Sequence, residues 1–151
     1  MSDDSGKQSQ EEDSFATAPY SILVVDDNPD LTDFLKKALG EYFKRILTAS
    51  DGVEALQLIK SHTPDIIVSD VMMPRMNGYE LCKNIKEDIA ISHIPVILLT
   101  ARDDKQSQMS GYKNGADAYL TKPFEVEMLM ELIRNRLKNR EHTKKRYLNA
   151  G

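Results

Sequence analysis

Four short apolar runs constrain the fold of this chain more than any other feature, because a polar residue follows each of them within two positions. The runs occupy residues 22–25, 66–68, 96–99 and 118–120. The polar residues that follow them are Asp26 with Asp27, Asp70, Thr100 and Lys122. Such runs are typical of strands buried on both faces of a parallel sheet. Functional groups of such sheets collect beyond the carboxyl ends of the strands, so we expect one pocket with three carboxylates, a hydroxyl and an ammonium group.

Segments with helical periodicity alternate with these strands. The pattern predicts a less apolar edge strand over 44–49 and helices over about 29–42, 52–62, 77–88, 104–114 and 125–139. This order predicts a doubly wound α/β fold with a five-stranded parallel sheet. In the first helix, Phe34 and Tyr42 belong to the apolar stripe that we expect to face the core. The helix over 104–114 has the poorest apolar anchoring, so we expect it to be the most mobile helix.

Composition and charge divide the chain into three parts. Its 151 residues, 40% of them hydrophobic, suffice for one folded domain with a core. We expect the polar, acidic residues 1–18 to be a disordered linker or a cloning remnant, residues 19–139 to form the domain, and residues 140–151 to be a basic linker. The domain itself is acidic, which argues against direct nucleic-acid binding. No apolar run is long enough to span a membrane, and the single cysteine, Cys82, excludes an intramolecular disulfide and favours the cytoplasm.

The expected pocket has the composition of a phosphorylation site that depends on Mg²⁺. Three carboxylates in one cleft repel one another and require a cation, and a site that offers only oxygen ligands favours a hard ion. A carboxylate beside that ion can attack phosphorus and form an acyl phosphate. Lys122 can pair first with the carboxylate and then with a phosphoryl oxygen, while Thr100 can donate its hydroxyl to another oxygen. Positioning and electrostatics of this kind supply most of what phosphoryl transfer requires.

Four segments resemble the receiver domain of two-component response regulators. They are residues 22–27 (ILVVDD), 65–74 (DIIVSDVMMP), 95–101 (PVILLTA) and 115–124 (GADAYLTKPF). The resemblance implies a flavodoxin-like sheet with the strand order 2-1-3-4-5, and it implies that Asp70 is the phosphoacceptor. It also implies that Mg²⁺ is bound directly by Asp27 and mainly through water by Asp26. Asp70 and the backbone carbonyl of Met72 would complete the protein ligands.

The resemblance assigns roles to the other polar residues of the pocket as well. Thr100 and Tyr119 match the switch pair of the family, and Lys122 matches the lysine that pairs with the phosphate. The family also implies a cis peptide between Lys122 and Pro123, a geometry that is accessible because the bond precedes proline. The implied function is to accept a phosphoryl group from a phosphohistidine of a histidine kinase. The domain would then be no enzyme in the usual sense, although it would slowly dephosphorylate itself.

The implied partners depend on a switching face formed by the helix over 104–114, the fifth strand and the helix over 125–139. This face would control an output such as transcription, and it would pair two copies of the chain. Met128 and Leu132 would be apolar contacts there, or else they lie over the neighbouring helix. The stretch 93–137 is most similar to receivers inside hybrid sensor histidine kinases of gut bacteria. The parent chain would then supply the phosphodonor, a flanking domain would contact DNA, and this segment would contact no membrane.

Three alternatives fit part of the pattern. A Mg²⁺-dependent phosphohydrolase of the haloacid-dehalogenase type also forms an aspartyl phosphate, but it requires a second carboxylate two residues after the nucleophile, where this chain has Met72. A scaffold-type pseudo-receiver lacks one of the acidic residues or the lysine, all of which are present here. A flavodoxin-like electron carrier shares the topology, but no phosphate-binding loop rich in Ser, Thr and Gly follows the first strand.

Overall fold

A computed structural model describes residues 19–101 and 115–150 of the chain, and for residues 141–150 it describes the backbone alone. The predicted linker over 1–18 and the predicted helix over 104–114 lie outside the described residues. Within the described part, five strands and four helices follow one another along the chain. They are β1 (Ser21–Val25), α1 (Pro29–Leu39), β2 (Arg45–Ala49), α2 (Gly52–His62), β3 (Ile66–Asp70), α3 (Gly78–Glu87), β4 (Val96–Thr100), β5 (Ala118–Thr121) and α4 (Val126–Ala150).

The strands form one parallel sheet in the order β2-β1-β3-β4-β5, which confirms the predicted fold class and strand order. Strands β1, β3 and β4 are buried along their whole length, whereas β2 lies at one edge and is only partly buried. The chain leaves β1 for β2 on one side and then returns to β3 on the other side. The strand order therefore reverses between β1 and β3, which is where open α/β sheets place their sites.

Two apolar layers cover the two faces of the sheet. On one face, Leu23 and Ile67 of the sheet share a buried cluster with residues of α2 and α3, among them Cys82. On the other face, Val24 and Val68 share a cluster with residues of α1 and α4. Cys82 is fully buried in the first of these clusters, and burial raises the pKa of its thiol to about 11. No described helix has the length and apolar character needed to cross a membrane.

Helix α1 ends earlier than predicted, and this changes which of its aromatic residues are buried. The helix begins at Pro29 after the N-cap Asn28, and it ends at Leu39 with Gly40 as C-cap, because glycine is a poor helix residue. The chain then turns and inserts Phe43 into the core, while Tyr42 stays 42% exposed. Phe34 is 53% exposed. The prediction that Phe34 and Tyr42 face the core is therefore wrong.

Helix α4 extends beyond the predicted end at about residue 139 and continues to Ala150. The prediction stopped where the apolar periodicity stops, but residues 139–150 contain neither proline nor glycine to interrupt the helix. The body of the helix is attached to the amino end of the sheet by Arg140, whose Nη1 donates to the carbonyl oxygen of Asp65 at 2.8 Å. The same nitrogen lies 3.2 Å from the Asp65 carboxylate, which also accepts a hydrogen bond from the N–H of Ser21.

Candidate functional site

The polar residues that follow the strands are held in place by hydrogen bonds that continue the sheet by one residue. The N–H of Asp26 donates to Ala49 at the end of β2, with an N–O distance of 3.0 Å. The N–H of Lys122 donates in the same way to Thr100 at the end of β4, at 2.8 Å. Asp70 is itself the last residue of β3 and lies opposite Leu99. The sheet therefore fixes the backbone from which these three chemically active side chains project.

Three carboxylates meet at this edge of the sheet. One oxygen from each of Asp26, Asp27 and Asp70 can be chosen so that the three oxygens lie within 4.8 Å of one another. Asp26 and Asp70 are buried, with 4% and 9% of their surfaces exposed, whereas Asp27 is exposed. Two buried like charges and an exposed third one are unfavourable unless a cation compensates them. The predicted acidic cluster is thus present, with an open side at Asp27.

The Asp26 carboxylate shows this imbalance most clearly. Its Oδ1 accepts a hydrogen bond from the N–H of Asn28 at 2.8 Å. Its Oδ2 is buried and has no hydrogen-bond partner among the described residues. Burial raises the pKa of Asp26 above its ordinary value, and the neighbouring Asp70 carboxylate adds to the rise, while the Asn28 N–H and the Lys122 ammonium oppose it. A buried carboxylate oxygen without a donor is suited to a metal ion or to a water molecule bound by one.

Lys122 supplies the one cation that the described side chains bring to this cluster. Its Nζ lies 3.1 Å from Oδ1 of Asp70 and 3.5 Å from Oδ2 of Asp26, and its side chain is one-third exposed. Oδ1 of Asp70 also accepts a hydrogen bond from the N–H of Val71 at 2.9 Å. The peptide bond between Lys122 and Pro123 is cis, as the resemblance implies. Lysine is well suited to this position because its ammonium can exchange one oxygen partner for another.

The remaining predicted residues lie around the cluster at different depths. Thr100 is fully buried at the end of β4. Tyr119 lies in the adjacent strand β5, opposite Leu98, and is partly buried. Met72 follows Asp70 by two residues and leaves 72% of its surface exposed, so its thioether is directed towards solvent. Thr100 and Tyr119, the predicted switch pair, thus lie on the neighbouring strands β4 and β5.

An apolar groove beside Lys122 was not predicted from the sequence. It has a volume of about 470 Å³. The residues that line it are Leu31, Phe34, Ala101, Lys122, Pro123 and Phe124. The exposed ring of Phe34 contributes to this groove because α1 turns that side of its apolar stripe away from the sheet. In the sequence, Phe34 is only an additional apolar residue directly before the buried Leu35, so it gave no clear signal for a groove.

Comparison with known proteins identifies what this arrangement resembles. The family model of the response regulator receiver domain matches residues 22–134. Histidine kinase P4 of Formosa agariphila is 45% identical over 130 residues, which are 86% of this chain and 9% of the kinase. Response regulator MprA of a Mycobacterium species is 41% identical over 116 residues, which are 77% of this chain and 50% of the regulator. The chain thus spans half the length of that regulator and under a tenth of that kinase.

Solved structures agree with these relatives. A putative response regulator from Chloroflexus aurantiacus superposes with a TM-score of 0.75 at 35% identity, covering 80% of this chain and 98% of that one. The receiver domain of a signal transduction histidine kinase from Syntrophus aciditrophicus gives a TM-score of 0.76 at 35% identity, covering 80% and 92%. Each of these similarities therefore extends over four-fifths of the chain.

Proposed function

The chain belongs to the response regulator receiver family, and we propose that it accepts a phosphoryl group from a phosphohistidine on Asp70 in the presence of Mg²⁺. The observation that carries the proposal is the environment of the Asp70 carboxylate. Oδ1 is engaged by the N–H of Val71 and by the ammonium of Lys122. Oδ2 is the other oxygen of this carboxylate, and it is the one that we expect to attack.

The proposed reaction uses these groups in a simple order. Oδ2 of Asp70 forms a bond to phosphorus while the phosphorus–nitrogen bond of the phosphohistidine breaks, and the bonding pair leaves with the imidazole nitrogen. The ring departs as neutral imidazole when its other nitrogen carries a proton, and otherwise it takes a proton from solvent as it leaves. The Lys122 ammonium pairs with the Asp70 carboxylate before the transfer and with a phosphoryl oxygen after it. The buried hydroxyl of Thr100 donates to a second phosphoryl oxygen. The chain therefore contributes the nucleophile and two of the donors that stabilise the transferred group.

The acidic cluster fits Mg²⁺ by the chemistry of its donors. Asp26, Asp27 and Asp70 offer only oxygen atoms, and Oδ2 of Asp26 is buried with no hydrogen-bond partner among the described residues. We propose that Asp27 and Asp70 bind the ion, that Asp26 acts mainly through water, and that the carbonyl of Met72 completes the set. When bound, the ion would neutralise the carboxylates and the incoming phosphoryl oxygens. We propose no phosphatase turnover, because the thioether of Met72 cannot act as acid or base.

The test of the proposal is incubation of the full chain with acetyl phosphate and Mg²⁺, followed by intact mass spectrometry. We expect a single phosphoryl adduct that is stable in mild acid and is released by hydroxylamine, as an acyl phosphate is. We expect no adduct when a chelator removes the metal. An adduct that survives hydroxylamine, or one that forms equally well with the chelator, would contradict the proposal.

We propose that the groove beside Lys122 is the surface on which the phosphodonor protein docks. Exposed apolar patches beside a reactive centre usually mark a contact, and the ring of Phe34 is its most exposed aromatic part. The donor in this test is a histidine kinase core that phosphorylates the wild-type chain. Phe34→Asp should slow phosphotransfer from this kinase by about tenfold. It should leave the reaction with acetyl phosphate unchanged, because a small donor needs no docking surface.

The matched control for this prediction is Ile89→Asp. Ile89 is 93% exposed and follows α3 at the amino end of the sheet, away from the groove. The Ile89→Asp variant should be phosphorylated by the kinase core and by acetyl phosphate at the rates of the wild-type chain. If Phe34→Asp slows the two donors equally, its effect is on the site itself and the docking assignment fails.

We propose that phosphorylation switches the face that includes β5 and α4, and that the switched face pairs two copies of the chain. Thr100 would turn towards the phosphoryl group and let Tyr119 pack inward, which biases two existing states rather than creating a new one. Met128 on α4 is 55% exposed and would contribute to the pairing surface. The output of a whole parent protein, such as transcription, would follow through a flanking domain. We also propose that the chain functions in the cytoplasm and that its parent protein is a hybrid histidine kinase.

Sedimentation velocity tests the pairing proposal. With beryllofluoride and Mg²⁺, the wild-type chain should shift from monomer towards dimer at high micromolar concentration, because beryllofluoride mimics the bound phosphoryl group. Met128→Asp should weaken that shift, since a charge in the contact must be desolvated. Monomer alone in the activated wild-type chain would refute the pairing and would leave the phosphoacceptor proposal untouched.

A further inference from the structure

The loop between β3 and α3 contains a strained turn close to the acidic cluster. The N–H of Met76 donates to the carbonyl of Pro74 with an N–O distance of 2.7 Å, which closes a three-residue γ-turn centred on Arg75. Arg75 has a φ of +65°, in the left-handed region that residues with a Cβ rarely adopt. Glycine or asparagine would relieve this conformation. Such a conformation persists only where surrounding contacts hold the residue in place, and the contacts of Arg75 are therefore informative.

The side chain of Arg75 reaches the turn that follows β2. Its Nε donates to Oδ2 of Asp51 at 2.7 Å, and its Nη2 lies 2.5 Å from the same oxygen. Asp51 is buried, and its Oδ1 accepts a hydrogen bond from the N–H of Glu54 at the start of α2. That N–H is the main cause of an Asp51 pKa below its ordinary value, and the Arg75 guanidinium adds to it. The carboxylate therefore remains charged and bound at neutral pH.

The backbone joins the two turns at a second point. The N–H of Gly52 donates to the carbonyl of Met76 at 3.2 Å. A Cβ at Gly52 would overlap the side chain of Met76, so the two turns approach as closely as glycine allows. At its base, the loop is closed by the N–H of Gly78, which donates to the carbonyl of Val71 at 2.9 Å. The loop over 71–77 is thus fixed at two points, by the Gly78–Val71 hydrogen bond and by the Gly52–Met76 hydrogen bond.

We propose that the pair Arg75–Asp51, which we name the loop clamp, positions the loop over 71–77 so that the carbonyl of Met72 can bind Mg²⁺. The inference rests on the proposed function, because it concerns a ligand of the proposed metal site. A backbone carbonyl in a free loop would have to be ordered when the ion binds, and a clamp that orders it beforehand removes that cost. Arg75 is accordingly a positioning residue that acts through the backbone. Mutation of residues that orient the ligands of a metal ion commonly weakens metal affinity by tenfold or more.

The sharpest test is Arg75→Gly in the full chain. Glycine accepts a φ of +65° without strain, so the variant removes the clamp while the turn remains accessible. We expect the dissociation constant for Mg²⁺, measured by calorimetry without a phosphodonor, to rise about three- to tenfold, less than for a fully buried partner because Arg75 is 61% exposed. The concentration of Mg²⁺ that half-saturates phosphorylation by acetyl phosphate should rise by the same factor. The maximal rate at saturating Mg²⁺ should stay unchanged.

A second variant separates the clamp from a general effect on folding. Asp51→Asn keeps a good N-cap for α2 and removes the charge that binds Arg75, so it should raise the Mg²⁺ dissociation constant in the same direction. The double variant should be no weaker than Arg75→Gly alone, because both changes remove one interaction. Arg75→Lys should restore part of the affinity. Arg45→Ala, an exposed change at the amino end of β2, is the control that should bind Mg²⁺ normally.

Three results would overturn the inference in distinguishable ways. If the wild-type chain binds Mg²⁺ and Arg75→Gly binds it equally well, the clamp has no positioning role and the proposed function stands. If the phosphorylation rate of Arg75→Gly is reduced at saturating Mg²⁺ as much as at low Mg²⁺, the role of Arg75 is structural rather than directed at the metal. If the wild-type chain binds no Mg²⁺, the proposed metal site fails and the clamp proposal fails with it.

Discussion

Replacement of Asp70 by asparagine is expected to abolish phosphorylation of the chain by acetyl phosphate, with a loss of at least about a hundredfold in rate. The amide has nearly the shape of the carboxylate, and its oxygen can still accept a hydrogen bond from the N–H of Val71. It cannot attack phosphorus, because the amide oxygen is a far weaker nucleophile than a carboxylate oxygen. Intact mass spectrometry of the variant after incubation with acetyl phosphate and Mg²⁺ measures the effect.

The control for this variant is Asp33→Asn, which makes the same chemical change at an exposed position of α1. It should be phosphorylated like the wild-type chain. The Asp70→Asn variant should also fold normally without Mg²⁺, since it removes a charge that repels the neighbouring Asp26. Labelling of Asp70→Asn at the wild-type rate would show that another residue accepts the phosphoryl group, and Asp27 would then be the first candidate because it is exposed.

The strands and the polar residues after them could be predicted because local sequence determines both. A run such as 22–25 is apolar at every position, which is typical of a short strand buried on two faces. Once the strands are parallel, their carboxyl ends must meet at one edge, whatever the details of packing. Topology therefore brings the backbones of Asp26, Asp70 and Lys122 to one edge of the sheet, and the distances of 3.5 and 3.1 Å from Nζ of Lys122 to the two carboxylates show that their side chains meet there.

The features that were not predicted depend on contacts between distant parts of the chain. Periodicity shows that Phe34 shares a face with core residues, but it does not show how much of that face the sheet covers. The exposed ring and the groove beside it follow from the way α1 lies on the sheet. The contact between Asp51 and Arg75 joins two turns that are 24 positions apart, each of which looks ordinary on its own. Helix α4 likewise continues where no apolar pattern requires it.

Removal of the charge at Asp27 is expected to weaken Mg²⁺ binding by about tenfold or more, with only a small change in the stability of the metal-free chain. Asp27 is exposed, so asparagine leaves packing unchanged, while a direct charged ligand is lost. Asp26→Asn should weaken Mg²⁺ binding less, because we propose that Asp26 acts mainly through water. Calorimetric titration with Mg²⁺ and denaturant unfolding in a chelator measure the two properties separately.

The stability of the metal-free chain should respond to Asp26 in a way that depends on pH. The pKa of Asp26 in the folded chain is raised above its ordinary value of 3.8, mainly by burial, so its ionisation favours the unfolded state. The folded chain therefore loses stability as the pH rises through the raised pKa. Asp26→Asn should regain about 1 kcal/mol at pH 7, and this gain should vanish at a pH below 3.8, where Asp26 is protonated in both states.

Saturating Mg²⁺ should reduce this difference at pH 7, because the ion compensates in the wild-type chain the same charge that the Asp26→Asn variant lacks. Asp27→Asn should change the stability at pH 7 little, since the Asp27 side chain is exposed, and it therefore serves as the matched control for Asp26→Asn. Equal Mg²⁺ affinities for the two variants would contradict the proposed division between a direct ligand and one that acts through water. A loss of stability in Asp26→Asn at pH 7 would show instead that the ion pair of Asp26 with Lys122 outweighs the burial of its charge.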